Sequence, residues 1–190
     1  MGKELFIQHS HESSIRSIGL KNSDYNSIDI GINLNDFKFL SLFLNKLSKY
    51  PYLFAIDSSL IIEAFKSNLK KNNINYREAN NRNNWIIINV FSYEQLRVVV
   101  EYTIQSVNLG SNTFIFIGEN FGESTLIPIT HLFKPTEFTN IDYSNVNSII
   151  DVSEVGISIH TKDTSINSPM KIRNYIPDGY TIDSSNSDFN

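Results

Sequence analysis

The chain has 190 residues, 41% of them hydrophobic and 12% aromatic, so it can bury a core of its own. It contains no cysteine, which excludes disulfides, thiolate nucleophiles and cysteine-ligated metal centres. Residues 1–100 carry 12 basic and 9 acidic side chains, whereas residues 101–190 carry 4 basic and 11 acidic ones. The acidic second half disfavours nucleic acid as a partner, because phosphate binding relies on Lys and Arg. It suits a basic protein, although the same charges could serve solubility alone.

Residues 1–52 are predicted to add strands and one helix to the fold. The segments 4–8 and 15–20 are candidate strands. Residues 28–34 alternate strictly, which indicates a half-exposed strand with isoleucines on one face and Asp29 on the other. A helix follows and ends before Pro51, because these apolar residues recur at helical spacing: Leu40, Phe43, Leu44 and Leu47.

Residues 53–119 are predicted to form the centre of the fold. Their patterns read strand, helix, strand, strand, helix, strand, at 53–57, 58–72, 74–79, 85–90, 92–107 and 113–118. Ser92 and Gln95 form a capping box at the start of the second helix. This order is the split βαβ pattern. We therefore predict an α+β protein with a mixed, mostly antiparallel sheet, a ferredoxin-like centre, three main helices and flanking β hairpins.

Residues 120–172 are predicted to add further strands. The segment 126–133 would follow a hairpin connection at 120–125, and residues 155–161 alternate as a strand does. Residues 146–150 are too short a run to assign. The sequence thus predicts a single domain over residues 1–172, followed by a polar tail at 173–190.

Two partner classes are disfavoured by pattern. No apolar run approaches the roughly 18 residues of a membrane span, and the N-terminal residues lack a signal-peptide pattern. Basic and aromatic residues between 66 and 85 could contact RNA, but the apolar strand at 85–90 predicts a covered sheet face. We therefore expect a cytoplasmic protein without a membrane or nucleic-acid partner.

No motif predicts catalysis, a cofactor or a metal. The nucleophile elbow, the Walker loop and the dinucleotide fingerprint are all missing. His9 and His11 could share a metal with Glu12, but so short a pattern supplies no further ligand by spacing, and we predict no metal site. A metal-independent hydrolase would need His131 or His160 as a base beside a carboxylate in a cleft.

The acidic second half supplies the main functional hypothesis. Six carboxylates stand between residues 119 and 154 with only Lys134 to offset them: Glu119, Glu123, Glu137, Asp142, Asp151 and Glu154. Such a surface could dock a basic protein and steer its association. We therefore predict a non-enzymatic module that binds and neutralises a basic partner, such as an immunity or antitoxin protein against a nuclease-like toxin.

The alternative hypothesis is a domain that senses a small molecule. Asp57 and Ser58 stand where a predicted strand ends and a helix begins, a place where backbone amides favour anionic ligands. Asn120, after the closing strand, would complete the pocket. The same Asp57 and Ser58 would serve equally well as a helix N-cap.

Overall fold

The computed structural model describes residues 3–10, 14–15, 20–21, 25–32, 37–57, 62–79, 85–111, 113–118 and 145–183. In this part of the chain the protein is α+β, as predicted. The strands are β1 (Lys3–His9), β2 (Ser14–Ile15), β3 (Leu20–Lys21), β4 (Asn26–Gly31), β5 (Tyr52–Asp57), β6 (Tyr76–Ala79), β7 (Trp85–Val90), β8 (Thr113–Gly118), β9 (Val146–Ser153), β10 (Gly156–Thr161) and β11 (Tyr180–Ile182). The helices are α1 (Phe37–Leu47), α2 (Ile62–Lys71), α3 (Tyr93–Asn108) and α4 (Pro169–Ile172), and a 3₁₀ turn, Arg173–Tyr175, follows α4.

Nine strands form one mixed sheet in the order β11-β1-β4-β10-β9-β8-β5-β7-β6. Neighbouring strands are antiparallel except for β1 and β11, which run parallel. Strands β2 and β3 pair only with each other in the described residues. The mixed sheet expected from the sequence is therefore confirmed, and it is larger than the central unit alone.

The helices pack on one face of this sheet. Helix α3 lies against β5, β7, β8 and β9 and also contacts α1 and α2. Because side chains alternate along a strand, every second residue of the sheet enters the core beneath the helices. None of the described helices is long and apolar enough to cross a membrane. Large members of this core, all fully buried, are Phe39, Phe43, Tyr52, Phe54 and Phe65.

Helix α3 begins where its sequence predicts. The Ser92 hydroxyl accepts a hydrogen bond from the Gln95 amide at 3.4 Å, and the Gln95 carboxamide oxygen accepts one from the Phe91 amide at 2.9 Å. These contacts satisfy amides that have no partner within the helix. At the other end Gly110 has φ +85, a left-handed conformation that glycine adopts without strain.

In the described residues, one predicted strand is absent and one unassigned segment forms a strand. The candidate strand at 15–20 is wrong, because β2 and β3 lie at its two ends and pair antiparallel with each other. Strand β9 runs over Val146–Ser153, longer than the short apolar run at 146–150 indicates. Three consecutive residues of this strand, 148–150, are buried, so both faces of the sheet are covered there. The apolar–polar alternation that usually reveals a strand is therefore missing. The predicted strand at 126–133 and its hairpin connection lie outside the described residues.

The C-terminal segment 162–183 is part of the packed structure. Its apolar residues Ile166 and Ile172 are fully buried in the core beneath the helices. Lys46 of α1 donates to the Ile176 carbonyl at 2.8 Å, and Lys49 pairs with Asp163 at 2.9 Å. Strand β11 then joins the sheet edge. Residues 173–183 of the predicted polar tail therefore belong to the described, packed part of the chain.

A buried hydroxyl without a partner supplies a test of this core. Thr113 is fully buried between Ile56 and Val152 in register, and its hydroxyl makes no hydrogen bond to any residue that the structure describes. Burying an unpaired hydroxyl costs about 1–3 kcal/mol. We expect Thr113→Val to raise the free energy of unfolding by about 1 kcal/mol or more, measured by denaturant titration.

Thr103 is the matched control. It is equally buried and β-branched, but its hydroxyl donates to the Val99 carbonyl at 3.0 Å. Thr103→Val should therefore give no gain in stability. An equal gain in both variants would show that the added methyl group, and not the lost unpaired hydroxyl, is responsible.

Candidate functional site on the second sheet face

The sheet face opposite the helices, here called the second face, is divided into two halves. Over β5, β7, β8 and the adjoining Ile149 of β9 it is mainly apolar, and its buried apolar residues do not belong to the core beneath the helices. Over β1, β4, β10 and the rest of β9 it is largely polar, and its side chains range from buried to exposed. The apolar half consists of Leu53, Ala55, Ile87, Phe114, Phe116 and Ile149. We call the following residues the polar half-face: Ser27, Asp29, Asp151, Ser158 and His160.

Strand register places the polar half-face in two rows. In the first row, Ser158 of β10 lies opposite both Asp29 of β4 and Asp151 of β9. The Ser158 hydroxyl donates to Asp29 Oδ1 at 2.7 Å. Since neighbouring strands lie about 4.8 Å apart, the α-carbons of the two aspartates are separated by about 10 Å. The row therefore carries two carboxylates, of which one has a hydroxyl donor.

The second row contains a paired histidine. Ser27 Oγ lies 2.8 Å from His160 Nδ1, and the His160 side chain is only 3% exposed. A serine and a histidine at this distance have the spacing of a nucleophile and its base. However, β4 pairs with strands on both of its sides, so its backbone amides are used in the sheet. In the described part of the chain this pair therefore has no adjacent amides that could form an oxyanion hole.

Asp151 differs from the other polar groups of the half-face. It is half-buried, and its neighbours in register are the Phe114 ring, which is 2% exposed, and Ser158. Among the described residues its carboxylate has no hydrogen-bond or ion-pair partner. Burial without such a partner raises the pKa of Asp151 from 3.8 to about 6. At neutral pH the site therefore holds a partly desolvated negative charge that none of the described residues compensates.

One cation occupies the far end of the same face. The Lys162 ammonium lies 4.5 Å from the centroid of the Tyr25 ring, and the Tyr25 hydroxyl donates to the Val146 carbonyl at 2.8 Å. Lys162 is four residues beyond Ser158, which corresponds to about 13 Å along a strand. Lys162 is therefore too distant to pair with the Asp151 carboxylate.

The structure locates only some of the residues predicted to bind a basic partner. Glu154 is exposed in the turn between β9 and β10, three residues after Asp151. Asp151 itself does not stand on the exposed surface but is half-buried on the second face. The other four carboxylates lie outside the described residues: Glu119, Glu123, Glu137 and Asp142.

The structure describes only some of the residues named in the small-molecule, metal and hydrolase hypotheses. Asp57 ends β5, is half-buried, and its carbonyl accepts a hydrogen bond from the Ser106 hydroxyl. Ser58 and Asn120 lie outside the described residues, as do His11, Glu12 and His131. Within the described chain no three His, Asp or Glu side chains are grouped as metal ligands. The small-molecule pocket thus stays a prediction.

Asp29, Ser27 and Ser158 are the members of the polar half-face that the sequence does not identify as candidate site residues. Their alternation with Ile28, Ile30 and other apolar residues does reveal that they face away from the core. It does not reveal which strands are neighbours. Only the pairing of β4 with β10 and of β10 with β9 brings the two carboxylates into one row.

The Asp151 charge leads to a prediction about stability. The folded-state pKa of about 6 lies above the reference value of 3.8, so the native state binds this proton more tightly than the unfolded chain does. The resulting stability is present at low pH and is lost as the pH rises through about 6, at a cost of about 3 kcal/mol. We expect Asp151→Asn to raise the free energy of unfolding at about pH 7.5 by up to about 3 kcal/mol.

Denaturant titrations from about pH 4 to about pH 7.5 provide the measurement. The gain from Asp151→Asn should shrink towards zero at the acidic end. Glu154→Gln is the control, since this exposed carboxylate should change stability by less than about 0.5 kcal/mol. If Asp151→Asn is less stable than the wild type at neutral pH, the conclusion that the Asp151 charge lowers stability is wrong.

Comparison with known proteins adds no relative. No protein-family model, curated protein or solved structure matches this chain. The functional conclusion therefore depends on the polar half-face, where a half-buried carboxylate has no partner among the described residues and stands beside hydrogen-bonded polar groups.

Proposed function

We propose that the protein is a non-enzymatic interaction module that binds and neutralises a basic protein, as an immunity or antitoxin protein does to a nuclease-like toxin. The observation that carries this proposal is the Asp151 carboxylate, which is half-buried beside Phe114 and unpaired within the described chain. A Lys or Arg side chain from a partner would supply the missing positive charge. Because the carboxylate is already desolvated in the free protein, this pairing removes an existing cost.

The strands beyond the polar half-face support a protein rather than a simple cation as the ligand. Phe6 of β1 lies on the same face and is 41% exposed. It stands opposite Gly31, which has no side chain to cover the ring. Two residues further along β1, Gln8 lies opposite Asp29. Phe6 therefore lies diagonally beside Asp29 and about 16 Å from Asp151, so a ligand that contacts both must be a large molecule. Aromatic side chains are enriched at protein interfaces.

The remaining acidic residues of the second half have a separate role in this proposal. Glu154 and the four carboxylates outside the described residues would contribute to a negative field, together with the charge imbalance of residues 101–190. Such a field raises the rate of association with a basic protein, while the pair formed at Asp151 slows dissociation. The site of recognition and the charge that steers the partner are therefore different residues.

We further propose that residues 52–118 form a ferredoxin-like centre with the main helices on one side, extended by strands at both ends. The order β8-β5-β7-β6 and the antiparallel pairing of these four strands support this description. Helices α2 and α3 occupy the two connections that the pattern requires. A cytoplasmic location belongs to the same proposal, and a chain without cysteine is compatible with a reducing compartment.

The proposal predicts a salt-sensitive partner and a specific loss of affinity. Tagged protein captured from its native cell at low and moderate salt should retain one basic protein in stoichiometric amount, identified by mass spectrometry. With the two purified proteins, Asp151→Asn should weaken the affinity by about 2 kcal/mol, or about thirtyfold, mainly through faster dissociation. Formation of the complex should abolish the partner's own activity.

Asp178→Asn is the matched control. Asp178 is fully exposed and pairs with Lys46 at 3.7 Å, away from the polar half-face. Loss of this charge should change the affinity by less than about twofold. Equal effects of the two substitutions would mean that net charge governs binding and that Asp151 is not the recognition site.

A further inference from the structure

We infer that binding of the basic partner is coupled to release of a proton from Asp151, so that the same site binds weakly in mildly acidic conditions. This inference rests on the proposed function and states how the site is regulated. Its basis is the arrangement of Asp151 between two neighbours that offer it no compensation.

The two neighbouring strands supply neither a donor nor a positive charge. On the β8 side, the Phe114 ring has no polar atom to offer. On the β10 side, the Ser158 hydroxyl is the nearest donor in register, but it donates to Asp29 Oδ1 at 2.7 Å. A hydroxyl has a single proton to donate. The Asp151 carboxyl can therefore reduce the cost of burial in two ways, by holding a proton or by accepting a cation from outside.

Protonation of Asp151 and binding of a cation exclude each other, so the two equilibria are coupled. A protonated carboxyl has no charge with which to hold an ammonium or guanidinium group, and an ion pair with such a group favours the ionised form. Burial places the pKa of Asp151 at about 6 in the free protein. A bound cation lowers that pKa, and by linkage the protonated protein must bind the cation more weakly.

Other titratable groups of the described chain lie on the same face as Asp151. The experiment must distinguish their effect on cation binding from that of Asp151. Asp29 stands beyond Ser158, and His160 lies in the next row, in contact with Ser27. Tyr25 and Lys162 stand at the far end. Protonation of His160 would also weaken binding of a cation, so the test has to separate Asp151 from the histidine.

An oligoarginine peptide is a suitable probe, with the neutral citrulline peptide of the same length as its control. At constant ionic strength, the affinity of the full chain for the arginine peptide should be about tenfold weaker at about pH 5 than at about pH 7.5. Asp151→Asn should bind with an affinity that changes by less than about twofold over the same range. Glu154→Gln should retain the tenfold dependence of the wild type.

A direct titration covers the case in which Asp151→Asn no longer binds the peptide. The carboxyl carbon of Asp151, followed by NMR and assigned by its loss in the Asn variant, should titrate near pH 6 in the free protein and at lower pH with the peptide bound. An unchanged midpoint would overturn the inference.

The possible outcomes also separate this inference from the proposed function. Equal affinity of the wild type at both pH values, or the same tenfold loss in Asp151→Asn, would overturn proton coupling while leaving the interaction module intact. Absence of peptide binding at about pH 7.5, or equal binding of the citrulline peptide, would contradict the proposed recognition of a cation and, with it, the coupling.

Discussion

The register between β4, β10 and β9 is the constraint on which the candidate site depends. A shift by one residue in either pairing would turn Asp29, Ser158 or Asp151 towards the core beneath the helices. Gly156 helps to fix this register, because its backbone approaches β4 so closely that a β-carbon would lie 2.2 Å from the Ile30 carbonyl oxygen. Strand pairing, rather than any loop, thus brings the two carboxylates into one row.

The same sheet serves two different purposes on its two faces. Beneath the helices it provides the large apolar side chains of a conventional core. On the second face, buried apolar residues over β5, β7 and β8 give way to the polar half-face over β4 and β10. Asp151 stands at this boundary, where an apolar residue would favour stability. A carboxylate that lowers stability at such a position is typical of a site under functional constraint, since activity and stability commonly conflict.

The sequence was sufficient for much of the local structure and insufficient for the site. The N-cap at Ser92, the strands β7 and β8 and the alternation in β4 are all encoded by residues close together in the chain, so periodicity and capping identify them. Strand β11 and the small β2–β3 pair depend on partners that local patterns do not specify. Asp151 was grouped with five other carboxylates as a surface charge. Only its register opposite Phe114 and Ser158 distinguishes it from them.

The polar groups of the polar half-face differ in whether they have hydrogen-bond partners within the described chain. Ser158 with Asp29 and Ser27 with His160 are satisfied pairs at 2.7 Å and 2.8 Å, and each removes most of the cost of placing polar atoms on the sheet. Asp151 lies in the same row and has access to the same kind of donor, but the only hydroxyl beside it in register is already committed to Asp29. Within the described residues, Asp151 is the member of the polar half-face whose carboxylate has neither a hydrogen-bond donor nor a cation. The proposed basic partner would supply a positive charge there, which a neutral polar ligand would not.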